Sequence, residues 1–337
     1  MRPANTTSCS SPAPSRSGWP CSAPAEPAGH HFPNHPGRPA LPGQEPALSP
    51  APDHTSPPIP PFMDLGEVTE LPEVIWADVR WYIGGRDGRE VYLRGHVPGA
   101  VHVDLDRLAA SPDEGRGRHP LPTPEDLAAY LSSLGISGAV PVVAYDDMGG
   151  VAAARLVWML RALGVDAALL NGGLDAWDGP LEEGETVIEP ATFEVRPWPA
   201  ERLADITEVE ELSRAISTGS DPGITIVDVR APGRYRGEEE VIDPRAGHIP
   251  GAINIPVASK LGRDRRVPSP DTLVAHYREH GVDRADRTVV SCGSGVTACH
   301  DLLAMEYAGL GLGRLYPGSW SEWCSDPTRP VATDTTI

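Results

Sequence analysis

Cys292 is followed by Gly293, Ser294 and Gly295, and then by Val296, Thr297 and Ala298. A thiol in this setting can act as a nucleophile. Glycines let a short loop turn where side chains would clash. The backbone N–H groups of such a loop can point inward, and a following helix adds its free N–H groups and the positive end of its dipole. A loop of this kind cradles an anion. Here the anion would be the sulfur of Cys292, because a helix start favours the thiolate, the form that attacks. A cysteine phosphatase would need an arginine six residues after the cysteine to clamp phosphate. That position is Ala298, so this chemistry is excluded. A second group of residues suits anion binding: Arg234 and Arg236 in Pro232–Gly237, then Arg245 after Asp243-Pro244. Arginine offers a planar fork that matches a carboxylate. Pairing with Glu238, Glu239 and Glu240 is the competing role, and it weighs most on Arg236.

The elements needed to hold Cys292 can be read on either side of it. Val289-Val290-Ser291 is the end of a buried strand, and Val296 to Ala308 has the character of a helix. The carboxyl end of a strand, just before a helix, is where open α/β sheets place ligands. A structural, inert cysteine is the alternative, and this position argues against it.

The same order of elements occurs about 150 residues earlier in the chain. Val74 to Arg80 corresponds to Ile224 to Arg230, each an apolar run ending in Asp-Val-Arg. Gly95-His96-Val97-Pro98-Gly99 corresponds to Gly247-His248-Ile249-Pro250-Gly251. Pro124 to Leu131 and Pro270 to Tyr277 read as amphipathic helices with proline in the first turn. Apolar runs alternating with helical periods imply α/β domains with largely parallel sheets. Features shared by both halves are expected to be structural, including His96 and His248. Features of one half are candidates for chemistry. The counterpart of the cysteine loop is Tyr145 to Gly150, which has two aspartates and no thiol. The first half is therefore expected to act as scaffold and as one wall of the site.

Composition sets outer limits. A chain of 337 residues is long enough for two ordinary domains. A formal net charge of −19 opposes binding to nucleic acid or anionic membrane. The five cysteines are scattered, with no C-x-x-C pair and no zinc-like cluster, which points to free thiols in a reducing compartment, the cytoplasm. No apolar run approaches the ~18 to 20 residues that span a bilayer. Residues 1–62 hold nearly half of the 38 prolines and little aliphatic periodicity. They are expected to be a disordered tail. Met63 opens ordinary sequence, which suggests a native start there. The expected division is a tail at 1–62, a non-catalytic domain at 63–185, a linker at 186–200 and a catalytic domain at 201–330.

Taken together, these motifs resemble the two-domain rhodanese superfamily of sulfurtransferases. Gly247 to Ala252 resembles the family's first signature, and Gly318-Ser319-Trp320-Ser321-Glu322-Trp323 its C-terminal one. The loop from Cys292 to Ala298 has the form found in the 3-mercaptopyruvate branch. The thiosulfate branch usually carries arginine and lysine directly after the cysteine, where this chain has Gly293 and Ser294. The resemblance implies tandem rhodanese-like domains, each a largely parallel sheet flanked by helices. It implies Cys292 as the sulfur-accepting nucleophile and a proton relay through Ser294 and Asp106. It implies Arg234 and Arg245 as carboxylate ligands and His119 as a residue facing the site, with Gly293, Gly295, Val296 and Thr297 forming the loop around the donor. The expected reaction moves sulfur from 3-mercaptopyruvate, through a persulfide, to a thiol such as thioredoxin or a small dithiol, or to cyanide. It needs no metal and no organic cofactor. The rivals are a thiosulfate:cyanide sulfurtransferase, a non-catalytic binding module, and a redox sensor joining Cys292 to Cys299 or Cys324. The last would need a strained bridge from the loop.

Overall fold

The computed structural model describes residues 58–112 and 116–333. The first half runs β1 (Phe62–Met63), α1 (Leu65–Thr69), β2 (Ile75–Asp78), α2 (Gly88–Arg94), β3 (Val101–His102), α3 (Pro124–Ser133), β4 (Val142–Tyr145), α4 (Ala154–Ala162) and β5 (Ala167–Leu170). The second runs α5 (Ile206–Ser217), β6 (Thr225–Asp228), α6 (Pro232–Tyr235), β7 (Ile253–Asn254), α7 (Pro270–Glu279), β8 (Thr288–Ser291), α8 (Thr297–Tyr307), β9 (Arg314–Leu315) and α9 (Ser319–Trp323). The sheet orders are β1-β5-β4-β2-β3 and β7-β6-β8-β9, and the strand pairs are parallel. The central strands β4 and β8 are buried on both faces, so neither alternates: β4 is apolar throughout, and β8 sets Val289 and Val290 between buried Thr288 and Ser291. The fold expected from the repeated pattern is the one present.

The repeat is exact enough to align residue by residue. Asp78 pairs with Tyr145 across β2 and β4, and Asp228 pairs with Ser291 across β6 and β8. Asp146 therefore stands where Cys292 stands. The Asp-Val-Arg ends make the same buried contacts twice. Arg80 bonds Asp78 and donates to the Gly95 carbonyl at 2.7 Å, and Arg230 does the same with Asp228 and Gly247, also at 2.7 Å. His96 and His248 each stack on a tyrosine and bond its carbonyl, at 2.9 and 2.8 Å. Both histidines are buried in the fold, away from the cysteine loop.

The described residues form one compact unit, so the halves are packed together. Helices α4 and α8 lie against each other, joined by Arg161 and Glu306 at 2.6 Å. Residues 186–200 are irregular but tied to the first half. Phe193 N–H bonds the Ser132 hydroxyl, and the Trp198 indole bonds the Pro122 carbonyl. The tail expectation fails at its last residues. Phe62 lies in β1, is 2% exposed, and meets His300 and Tyr307 edge-on. The prolines before it are tolerated because β1 is an edge strand. A chain starting at Met63 would lose this anchor, and truncating a buried phenylalanine costs about 3–5 kcal/mol. Residues 1–57, with Cys9 and Cys21, lie outside the described residues. Among the described residues no helix is long and apolar enough to cross a membrane.

Candidate functional site

The cysteine loop is held from behind by the C-terminal signature. The Trp320 and Ser321 N–H groups donate to the Cys292 and Gly293 carbonyls at 3.0 and 2.9 Å. Cys292 N–H donates to the Ser319 hydroxyl at 3.1 Å, and that hydroxyl donates to the Tyr316 carbonyl at 2.9 Å. Gly295 N–H points at the Cys292 sulfur, 3.1 Å away. Gly295 has φ +76°, and a Cβ there would lie 2.4 Å from the Pro317 carbonyl oxygen. Only glycine fits this position, so the sequence signature follows from the loop's shape.

Cys292 opens onto a cleft of about 740 Å³ built by both halves. Gly293, Ser294, Val296 and Thr297 line it from the second half, and Trp81, Tyr82, Arg118, His119 and Met148 from the first. His119 Nδ1 is 2.7 Å from the Ser294 hydroxyl. Burial, with Arg155 and Arg118 nearby, pushes the His119 imidazole down to about 4, so it is neutral at pH 7. Arg118 and Arg234 flank the loop. A Cβ on Gly293 would lie 3.0 Å from Arg118 Nη2 and 3.4 Å from Arg234 Nη1. One carboxylate holds both guanidiniums: Asp243 bonds Arg234 at 2.9 Å and also pairs with Arg118. Glu240 takes the other edge of Arg234 at 3.0 Å.

Two residues are placed elsewhere than expected. Arg245 donates to the Asp326 and Arg329 carbonyls at 3.0 and 2.9 Å and does not line the cleft. Its guanidinium caps the C-terminal turns instead. Asp106 sits in the short 3-10 turn Leu105–Leu108, which Asp104 caps. That turn buries Leu105 and Leu108 and leaves Asp106 exposed. Asp104 and Asp106 line a separate cavity of about 590 Å³. Ser294 therefore meets His119, and the expected contact with Asp106 is absent among the described residues. Arg236 bonds exposed Glu238, which leaves Arg234 as the arginine of that segment at the site. Cys299 and Cys324 are buried free thiols, pushed up to about 12 and about 11 chiefly by burial.

Sequence reasoning missed Arg118, Asp243 and Arg155. Arg155 comes from α4 of the first half and is 1% exposed. It donates to the Gly295 carbonyl at 2.9 Å and to the His119 carbonyl at 3.0 Å. The position of Arg118 beside His119 was a usable signal. Asp243 lies in the arginine-bearing segment itself, nine residues after its partner Arg234, whereas Arg155 joins the site only through the packing of the halves.

His300, on α8 behind the loop, is fully buried, with Nε2 3.2 Å from the Gly149 carbonyl and no partner on Nδ1 among the described residues. Burial, then Lys260, pushes it down to about 3. The unfolded chain takes up this proton near pH ~6.5, whereas the native state resists until about 3. Native stability therefore falls as pH drops from about 6.5 toward 3. Urea unfolding at pH 7 and pH 5 is expected to show that slope, and His300→Gln is expected to reduce it to the part that His119, pushed down to about 4, contributes. An unchanged slope in the variant would exclude His300 as its source.

Parallel α/β halves with a cysteine loop at one strand end, and a cleft between them, define a duplicated rhodanese-like architecture. The rhodanese-like domain family matches residues 65–179 and 208–326. The chain belongs to this family, and it is a sulfurtransferase. It is 43% identical over 273 residues to a probable 3-mercaptopyruvate sulfurtransferase of Pseudomonas aeruginosa, covering 78% of this chain and 93% of that protein. It is 41% identical over 263 residues to a putative thiosulfate sulfurtransferase of Mycobacterium tuberculosis, covering 77% and 90%. The crystal structure of the 3-mercaptopyruvate enzyme of Escherichia coli superposes with a TM-score of 0.66 at 33% identity, covering 78% of this chain and all of that one.

Proposed function

We propose that the protein moves sulfur from 3-mercaptopyruvate to an acceptor through a persulfide on Cys292, and releases pyruvate. The observation that supports this best is the pair of guanidiniums, Arg118 and Arg234, beside Gly293 and lining the same cleft as Cys292. They suit the donor carboxylate and keto oxygen. The Cys292 thiolate attacks the donor sulfur, an S–S bond forms, and the C–S bond breaks with its electron pair leaving as pyruvate enolate. The proton on the donor sulfur passes through the Ser294 hydroxyl and His119 to the enolate carbon, giving pyruvate and a Cys292 persulfide anion. A thiol such as thioredoxin or a small dithiol, or cyanide, then takes the outer sulfur. This is covalent catalysis in two half-reactions, and N–H groups such as that of Gly295 stabilise both sulfur anions. The buried free thiols suit a reducing cytoplasm.

Thiosulfate is the second donor to consider, because one relative is named for it. Charge argues for the monoanion. Arg118, Arg230 and Arg234 are bonded among Asp228, Glu240 and Asp243, so these six groups cancel and a dianion would bring twice the uncompensated charge of a monoanion into the cleft.

The test is the intact mass of the protein after mixing with 3-mercaptopyruvate and no acceptor. A gain of one sulfur, smaller with thiosulfate, is expected. A gain with thiosulfate alone would move the assignment to that donor, and no gain with either would end the sulfur-transfer reading. Arg118→Ala is expected to lower kcat/KM for mercaptopyruvate roughly 10- to 100-fold, the worth of a charge-assisted hydrogen bond. Arg245→Ala is expected to cost stability and leave KM nearly unchanged. The reverse pattern in steady-state kinetics would restore Arg245 as the ligand.

A further inference from the structure

Arg155 is a buried cation without an anion. It is 1% exposed, Nε has no hydrogen-bond partner, and no carboxylate pairs with it among the described residues. It donates to two neutral carbonyls, those of Gly295 and His119, and the Cys299 thiol lies within hydrogen-bond reach of it. Burying a guanidinium this way is costly unless something compensates its charge. The repeat shows how unusual this is. The corresponding position in the second half is Asp301, which is equally buried but pairs with Lys260.

The groups around Arg155 include two thiols, Cys299 and Cys292. Cys299 donates its S–H to the same Gly295 carbonyl at 3.3 Å and is held protonated by burial. Cys292 is the other thiol of the pair. Its sulfur receives the Gly295 N–H, while Arg155 grips the Gly295 carbonyl from the other side. The other charged groups facing Cys292 are Arg118, Arg230 and Arg234, and each is bonded to Asp228, Glu240 or Asp243. His119 is neutral at pH 7. Arg155 is the cation here that no carboxylate offsets.

We infer that Arg155 is a positioning residue through which the first half supplies the fixed charge holding Cys292 as thiolate and, after transfer, as persulfide anion. Its two hydrogen bonds also fix the loop and the backbone of His119, so one side chain sets both the charge and the geometry of the nucleophile. The half without a cysteine thus takes part in the chemistry from behind the loop. This inference rests on the reading of Cys292 as the nucleophile, but its test needs no sulfur donor.

The rate of Cys292 alkylation by iodoacetamide, followed by peptide mass spectrometry from pH 5 to 10, measures its ionisation in the full-length protein. The wild-type profile sets the reference midpoint. Arg155→Gln keeps hydrogen bonding and removes the charge; it is expected to raise the midpoint by about one unit or more and slow alkylation at pH 7 roughly tenfold. Arg155→Lys is expected to stay near the wild-type midpoint. Sulfur transfer by Arg155→Gln should recover as pH rises, with the donor KM little changed. A purely structural arginine would lower the melting temperature of both variants and leave the midpoint where it was, which would overturn the inference. If neither variant folds, a wild-type midpoint at or above that of a free thiol would overturn it alone, and a low one sustains it. A low midpoint in a protein that gains no sulfur would remove the proposed reaction and leave the role of Arg155 standing.

Discussion

Cys292→Ser is expected to remain folded and to lose sulfur transfer by roughly 10⁴-fold or more, as removal of a covalent nucleophile does. The contacts that fix residue 292 are made by its backbone. Its N–H donates to Ser319 and its carbonyl accepts from Trp320, and neither depends on the side chain. A serine hydroxyl is smaller than a thiol and polar, so a stability change within about 1–2 kcal/mol is expected. Chemistry fails for a different reason. The hydroxyl stays protonated at neutral pH, and its oxygen is a poor receiver of sulfane sulfur. The intact mass of the variant should not change with mercaptopyruvate, and pyruvate release should fall to background while the circular dichroism spectrum holds. Retained pyruvate release with a sulfur adduct elsewhere would show that another thiol carries the reaction. Cys299 and Cys324 are poor candidates, since burial keeps both protonated.

Much of this was legible in the chain because duplication provides an internal reference. Buried parallel strands are covered on both faces, so β4 and β8 stood out without any alternation. Gly295 was legible because no other residue fits beside Pro317. The arginines were not. Arg234 and Arg245 belong to one arginine-rich segment, but which of them reaches the loop depends on the path between Gly237 and Gly247. That path turns Arg245 toward the carbonyls of residues 326 and 329. Arg118 comes from the other half, where no local pattern ties it to Cys292. Asp106 failed for a simpler reason. The 3-10 turn buries its leucines, so both aspartates are exposed; Asp104 caps the turn, and both line the separate cavity rather than the cysteine cleft. The boundary at residue 62 failed because proline is compatible with an edge strand, which composition alone does not reveal.

The loop without a cysteine carries the other large effect. Asp146, fully buried, stands in register with Cys292. Its Oδ1 accepts N–H groups from Met148 and Gly150 at 2.8 and 2.7 Å, and its Oδ2 accepts those of Ala152 and Ala153 at 2.8 and 3.0 Å. The first half thus keeps the anion cradle and fills it with its own carboxylate. The structure gives Asp146 a constructive role: it closes a loop whose N–H groups would otherwise be buried and unpaired. The fit is to the ionised form, since all four partners are donors and an acid proton would have no acceptor among them. Asp146→Asn is nearly isosteric but turns an NH₂ toward two of those donors and removes the charge. The cost is expected to be about 3–5 kcal/mol, that of breaking a buried charged network. For a chain of this size that lowers the melting temperature by roughly 6–15 °C. The loss should also reach the cleft. Met148, Val151 and Ala152 line it, the Gly149 carbonyl accepts from His300, and the Asp147 carbonyl accepts from Arg265. Sulfur transfer at 20 °C is therefore expected to fall several-fold even where the variant is folded. Calorimetry of Asp146→Asn decides the point. A shift under about 2 °C, less than 1 kcal/mol on the same scale, would mean that the loop is held by its glycines and packing, with the carboxylate incidental.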